Sequence, residues 1–293
     1  MQRAMTAVGW LTPPAAERDF IRWREWSGVV LALYLLVRAP VLTSSVGSWR
    51  PVGVLFWRGG AFSQSALWAL WAVALVGAAG LLRPLQFLRT VTPLGAIAAL
   101  VLFTHRSSGG QILWFDILPA LHLLVLGAAG TRFNAIRAGW GMRLASLITI
   151  VTYVLAGIAK LRIGGIDWIA EGALERQIAF SATRFEVLGG TPSPVAEWLL
   201  DLRWASIPLA VAVLLIELGA PLALLSRRAA WIWSISAWVM HVVIAVTMFV
   251  VFHWPLFGVA FVPLLLCPPG NKVASCNLER FESTAATARE QSG

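Results

Sequence analysis

The sequence predicts an all-α fold, a polytopic membrane bundle of about eight transmembrane helices. Three observations predict it. Of the 293 residues, 58% are hydrophobic and the mean hydropathy is +0.76, more apolar surface than a soluble core of this size can bury. Charged residues are only 13% of the chain and gather between long apolar runs, the pattern of repeated bilayer crossings. Sixteen tryptophans suit anchoring at the two membrane interfaces, where an amphipathic ring is at home.

The same composition excludes other classes. A net charge of +9 would suggest nucleic acid in a soluble protein, but here the bases stand at span ends, where anionic lipid and the positive-inside rule account for them. No nucleic-acid partner is expected. The two cysteines, Cys267 and Cys276, have no CxxC or zinc-finger spacing, so neither a disulfide framework nor a metal site is predicted. Residues 1–25 are polar and arginine-rich rather than a short apolar leader with a small-residue cleavage site, so the first span is expected to act as its own insertion signal.

In chain order, residues 1–25 hold Arg18, Arg22, Trp23, Arg24 and, just beyond, Trp26, and read as a cytoplasmic segment lying on the membrane. The first span is expected over 27–42, broken near Arg38 and Pro40 because proline removes a backbone donor. After a polar connection, spans two to four fall at 64–82, 91–104 and 112–129, joined by short links that make them neighbours. The fourth carries Asp116, Pro119 and His122; Pro119 frees the carbonyl of Phe115 beside the acid, which marks a polar pocket.

Span five, 141–159, ends at Lys160. The connection 161–204 is the largest extramembrane piece and holds six of the fourteen acidic residues, Asp167, Glu171, Glu175, Glu186, Glu197 and Asp201. An amphipathic helix is expected over 169–180, a Gly/Pro break over 189–194 and a second short helix over 195–202. Span six, 207–225, contains Glu217, with Pro221 unable to donate to its carbonyl. Span seven, 229–252, presents His241, aligned at helical spacing with Ser234, Trp238, Ala245 and Met248. An eighth short run, 254–266, carries two prolines, and the polar tail 269–293 is expected to be disordered. The Lys and Arg distribution favours a cell-membrane protein with both termini in the cytoplasm and 161–204 outside.

The stretch Thr149-Ile-Val-Thr-Tyr-Val-Leu-Ala-Gly-Ile-Ala-Lys-Leu-Arg162 stands out. Thr149, Tyr153, Gly157 and Lys160 fall on one helical face, a polar stripe with a small residue for close approach, which calls for protein or water opposite it. Two readings of Lys160 stand side by side. An amine held away from water is costly as a cation, and its neutral form is a general base. Alternatively Lys160 and Arg162 reach to the headgroups and end the helix. Asp116 with His122, Glu217 and His241 likewise divide between satisfied structural groups and site residues, and Arg38 between a snorkelling arginine and a counterion for Glu217 or Asp116.

Tyr153-Val-Leu-Ala-Gly-Ile-Ala-Lys-Leu161, followed by Ile166-Asp-Trp168 and Glu171-Gly172, resembles the corresponding run of vitamin K-dependent γ-glutamyl carboxylase and its bacterial relatives, the horizontally transferred transmembrane (HTTM) domain proteins. Leu214-Leu-Ile-Glu-Leu-Gly-Ala220 resembles that family's acidic leucine-rich span, and His241, Met248-Phe249 and Pro255-Leu-Phe257 its histidine-bearing span and ending. Upstream, Arg50-Pro-Val-Gly53 and Gly109-Gly-Gln-Ile-Leu-Trp114 look like the bacterial branch, with glutamine where an acid is more usual. The resemblance covers residues 26–268, with extra residues including Gly164-Gly165 between the lysine and the tryptophan. It includes no counterpart of the large domain with which the carboxylase holds its protein substrate.

The resemblance implies a membrane enzyme in which Lys160 takes a proton from a vitamin K-type quinol or another lipophilic substrate. Glu217 and His241 would assist it, with Tyr153, Trp168, Asp116 and His122 lining the substrate. It leaves open two other readings, a non-enzymatic partner in maturation or export of a peptide or toxin, and a small transporter relaying protons through Asp116, Glu217 and His241.

Overall fold

The computed structural model describes residues 15–45, 55, 59–82, 88–108, 114–130, 133–170 and 172–267, excluding the side chains of 88–90, 114–116 and 203. Among them every regular element is helical. The longer helices are α1 (Glu17–Leu42), α2 (Gln64–Leu82), α3 (Leu88–Ser108), α4 (Trp114–Ala129) and α5 (Ala135–Gly164). The connection then forms α6 (Asp167–Ala170), α7 (Ala173–Val187) and α8 (Pro194–Asp201). The last elements are α9 (Ser206–Leu218), α10 (Arg227–Met248), α11 (His253–Leu256) and α12 (Val262–Leu266), with short 3-10 turns at Arg203–Ala205 and Ala220–Leu224.

Four helices, α1, α2, α5 and α10, are long and apolar enough to cross a membrane. Their outer faces support that reading. On α5 Val151, Leu155 and Ile158 are exposed, and on α10 Ile232, Ile235, Val239 and Val246, so the face turned away from the protein is as apolar as the face turned inward. A helix that is hydrophobic all round is suited to lipid rather than water.

Helices α1 to α5 pack in sequence, each against the next. The α2–α3 crossing is close because Gly77 and Gly95 meet there: a Cβ on Gly77 would stand 2.6 Å from the Gly95 Cα. Small residues at a crossing let two backbones touch, the main source of helix association where lipid is as apolar as leucine. Helix α9 then lies against the C-terminal half of α5, which α10 reaches through the Tyr153 contacts with Trp233 and His241, while α7 packs on α9 and α10 and α8 on α10.

Several boundaries differ from expectation. Residues 17–25 are not a separate surface segment but the first turns of α1, with Phe20 and Trp23 buried in the core. Helix α1 also runs through Arg38, because Pro40 falls only in its last turn, where few bonds remain to lose. The run 254–266 is not one span. Pro255, Pro263 and Gly258, whose φ is +73°, divide it into α11 and α12, since neither prolines nor a left-handed glycine continue a helix. Span six ends early: α9 stops at Leu218 and gives way to the 3-10 turn containing Pro221. The connection 161–204 follows its expected helix, break and helix, with α5 prolonged to Gly164. The Arg50–Gly53 motif, Glu171 and the tail 269–293 lie outside the described residues.

Candidate functional site

Thr149, Tyr153 and Gly157 are all buried on one face of α5, the face predicted to be polar, and Lys160 follows on it with its side chain 25% exposed. Opposite stands the C-terminal end of α9. A Cβ on Gly157 would lie 2.8 Å from Leu218 Cδ2 and 3.2 Å from Glu217 Cβ, so the glycine admits this helix end into contact. The approach brings the Lys160 ammonium to Glu217, to which Nζ donates at Oε1. The Glu217 side chain is only 7% exposed, and its second oxygen, Oε2, is buried without a hydrogen-bond partner among the described residues.

Above this ion pair the Lys160 Nζ lies 5.7 Å from the centre of the Trp168 ring, within cation–π range. Trp168, on α6, is itself packed against Ala210 and Leu214 of α9. Below it, the Tyr153 hydroxyl and His241 Nε2 are hydrogen-bonded at 2.6 Å. Tyr153 sits edge-on to Trp233 at 5.0 Å, and His241 lies against Phe252 at 4.8 Å. Phe261 closes the group, 5.7 Å from Trp233. His241 Nδ1, like Glu217 Oε2, is buried without a partner among the described residues.

Trp233 was not among the expected site residues. Its indole N–H donates to the carbonyl of Ile216 at 2.8 Å, one residue before Glu217, and so fixes the helix end that carries the carboxylate. The expected stripe on α10 is also shifted. Ser234 and His241 are buried, but Trp238 is 43% exposed and donates to the Leu256 carbonyl. The buried face runs instead through Ala230, Trp233, Ala237 and Met240.

His122 belongs to a different cluster. Trp254 Nε1 donates to its Nδ1 at 3.0 Å, which leaves its Nε2–H to face Thr149 Oγ1 at 3.1 Å; Thr149 in turn donates to the Ala260 carbonyl. Both ring nitrogens are thus used, and Thr149 stands about 16 Å down α5 from Lys160 at 1.5 Å per residue. The geometry makes His122 a tie between α4, α5 and the α11–α12 segment. Asp116 lies on α4, its side chain outside the described residues. Arg38 lies in the last turns of α1 and forms no ion pair with Glu217 among the described residues.

No protein-family model, no curated protein and no solved structure matches the chain. The site therefore has to be judged on its own chemistry. It offers one amine and one carboxylate in contact, an unpaired carboxylate oxygen, a tyrosine–histidine hydrogen bond and four further aromatic rings. Among the described residues no group of three metal-ligating side chains converges.

Proposed function

We propose that this chain is a membrane enzyme, related to the HTTM and vitamin K carboxylase group, in which Lys160 and Glu217 together accept a proton from a lipophilic, hydroxyl-bearing substrate such as a quinol. The observation that carries the reading is the pairing of Lys160 with a buried Glu217 that keeps one oxygen unpartnered. In a medium of low polarity an ammonium–carboxylate pair and an amine–carboxylic acid pair lie close in energy, so a proton can be held on either partner. That is the property a general base requires.

The surroundings fit a planar hydroxyaryl group. Tyr153, Trp233, Phe252 and Phe261 supply ring faces and edges, while Glu217 Oε2 and His241 Nδ1 supply two polar atoms free to meet hydroxyls. A quinol, when bound, would supply the acidic hydroxyl and the redox chemistry. The chain's own part is to orient it, exclude water and take the proton. Trp168 then shields the ammonium on the side of α6 and α7.

The proposal extends to topology. Each of the eight apolar runs crosses or enters the bilayer of the cell membrane. Both termini face the cytoplasm, and α6 to α8 lie at the outer surface. This puts Lys160 at the outer end of α5, within reach of a lipid-soluble substrate and of a peptide or protein partner outside.

The test is oxygen uptake by the purified protein in lipid when given a reduced naphthoquinone, compared among wild type, Lys160→Ala and Lys160→Arg. Guanidinium stays charged, so arginine cannot act as the base. Loss of uptake in both variants at normal membrane yield is expected. Full uptake in Lys160→Arg would leave the lysine as an interfacial anchor and overturn the assignment.

A further inference from the structure

Helix α8 presents three kinds of surface. At about 100° per residue, Ala196, Leu199 and Leu200 fall on one side, Val195 and Trp198 on a second, and Glu197 and Asp201 on a third. The first side meets protein: Ala196 is fully buried, Leu199 and Leu200 are half-buried, and α8 packs on α7 and α10. The other two sides are open. Trp198 is 61% exposed and Val195 40%, and both acids are exposed. Sunk in lipid, such a helix would desolvate two carboxylates; standing in water, it would leave an apolar strip uncovered. The division into protein, apolar and acidic sides is that of a helix lying along a membrane interface.

The course of the chain agrees. Helix α8 meets α9 at a bend of 113°, nearer to perpendicular than to a continuation, so with α9 directed across the bilayer α8 runs near the membrane plane. The exposed apolar surface continues round this corner. Trp204, Ile207, Val211, Leu215 and Leu218 are all exposed and follow one another at intervals of three or four residues, the spacing of one helical stripe. Trp204, 74% exposed at the corner, stands where an indole is at home, between headgroups and acyl chains. The depth follows from a third observation. Trp168 of α6, with Ala173 and Leu174 of α7, shares an apolar cluster with Ala210, Val213 and Leu214, and Ala210 and Leu214 lie roughly 6 and 12 Å along α9 from its first residue at 1.5 Å per residue. The connection is thus folded down beside α9 instead of standing clear above it. Ile163 and Ile166, where the chain leaves α5, are exposed as well.

We propose that α8 and the corner leading into α9 form a lipid-docking surface, seated at the boundary of headgroups and acyl chains with Val195, Trp198 and Trp204 in lipid and Glu197 and Asp201 toward water. What covers the exposed apolar side is phospholipid, because that side runs without a break into the outward stripe of α9. The stripe ends at Leu218, which lies over Gly157 and follows Glu217 in the chain, so lipid borders the Lys160–Glu217 pair on that side. The inference takes the chain to be a membrane protein. It rests neither on Lys160 acting as a base nor on which side of the membrane the connection occupies.

The experiment uses the full chain, with Cys267 and Cys276 replaced by alanine, in phosphatidylcholine vesicles. Val195→Cys, Glu197→Cys, Trp198→Cys and Asp201→Cys each carry a nitroxide, and electron paramagnetic resonance power saturation compares its access to oxygen, which concentrates in lipid, with its access to a water-soluble nickel chelate. Labels at 195 and 198 should favour oxygen and labels at 197 and 201 the chelate, so the logarithm of the ratio changes sign between adjacent positions 197 and 198. Where Trp198→Cys does not fold, Val195→Cys reports the same side. The pattern should persist in Lys160→Ala, which separates it from any failure of the proposed chemistry. Chelate access at 195 and 198 would place that side in water, and shielding from both reagents would mean that protein covers it; oxygen access at all four positions would sink the helix into the acyl core. Each of these results overturns the proposal.

Discussion

Methionine at Lys160 and at Glu217, singly and together, tests the core of the candidate site. In Lys160→Met the Glu217 side chain, 7% exposed, loses its hydrogen-bond partner while staying buried. Breaking a buried pair from one side costs about 3–5 kcal/mol, because the remaining charge is uncompensated. Glu217→Met is milder. Its orphan is the Lys160 ammonium, 25% exposed, which keeps its place at the Trp168 ring and can turn toward water. A net cost of about 1–3 kcal/mol is expected.

In the double variant neither charge is left, and an apolar pair of similar volume often equals or exceeds a buried ion pair. It should fall within about 1 kcal/mol of wild type, giving a coupling of at least about 2 kcal/mol between the two positions. Reversible unfolding in mixed micelles, followed by tryptophan fluorescence, measures all four proteins. If Lys160→Met costs no more than Glu217→Met, or the coupling is under about 0.5 kcal/mol, the pair is not the buried, mutually dependent unit described above.

Three further outcomes are expected. Tyr153→Phe keeps the ring packing but leaves His241 Nε2 without its partner, so unfolding should be easier by about 1–3 kcal/mol; a change under the resolution of the melt would mean that water replaces the hydroxyl. His122→Ala removes the group that joins Trp254 to Thr149 and should cost about 2–5 kcal/mol as the cavity and the unpaired Trp254 N–H add, yet in whatever fraction folds it should leave quinol-dependent oxygen uptake intact, and selective loss of uptake would return His122 to the site. With Cys267 and Cys276 replaced, a cysteine at position 181 should react with a membrane-impermeant thiol reagent in intact cells and one at position 226 should not; the opposite labelling reverses the proposed orientation.

What could be read from the sequence follows the range of the interactions involved. The face of α5 was legible because one helix fixes which of its own residues align, and Thr149, Tyr153, Gly157 and Lys160 needed only the 3.6-residue period. The partner of Lys160 was nominated by its chemistry, as an acid in an apolar run, but contact across 57 positions depends on how two helices cross. His122 shows the opposite outcome. Asp116 on the same helix suggested a polar pocket, whereas the histidine's described partners come from Thr149 on α5 and Trp254 on α11, neither readable from α4 alone. Trp233 passed for one more interfacial anchor among sixteen tryptophans.

The reason Trp233 matters lies in where α9 stops. The last four carbonyls of a helix have no partner within it. With α9 ending at Leu218, the Ile216 carbonyl is one of these, and the Trp233 indole satisfies it. Had the helix run on to Leu225, as the apolar run alone suggested, that carbonyl would already accept a helical bond, and the indole could only share it. The other wall of the site depends on a second stop. Helix α10 ends at Phe249, which takes the left-handed conformation at φ +52°, costly for a bulky residue, and packs on Phe185 at 4.4 Å. The non-helical residues that follow turn Phe252 onto His241. The candidate site is thus assembled where α5, α9 and α10 approach or reach their ends. Those ends are set by Gly165, Pro221 and the Phe249–Phe185 contact, of which only the first two leave a mark in the local sequence.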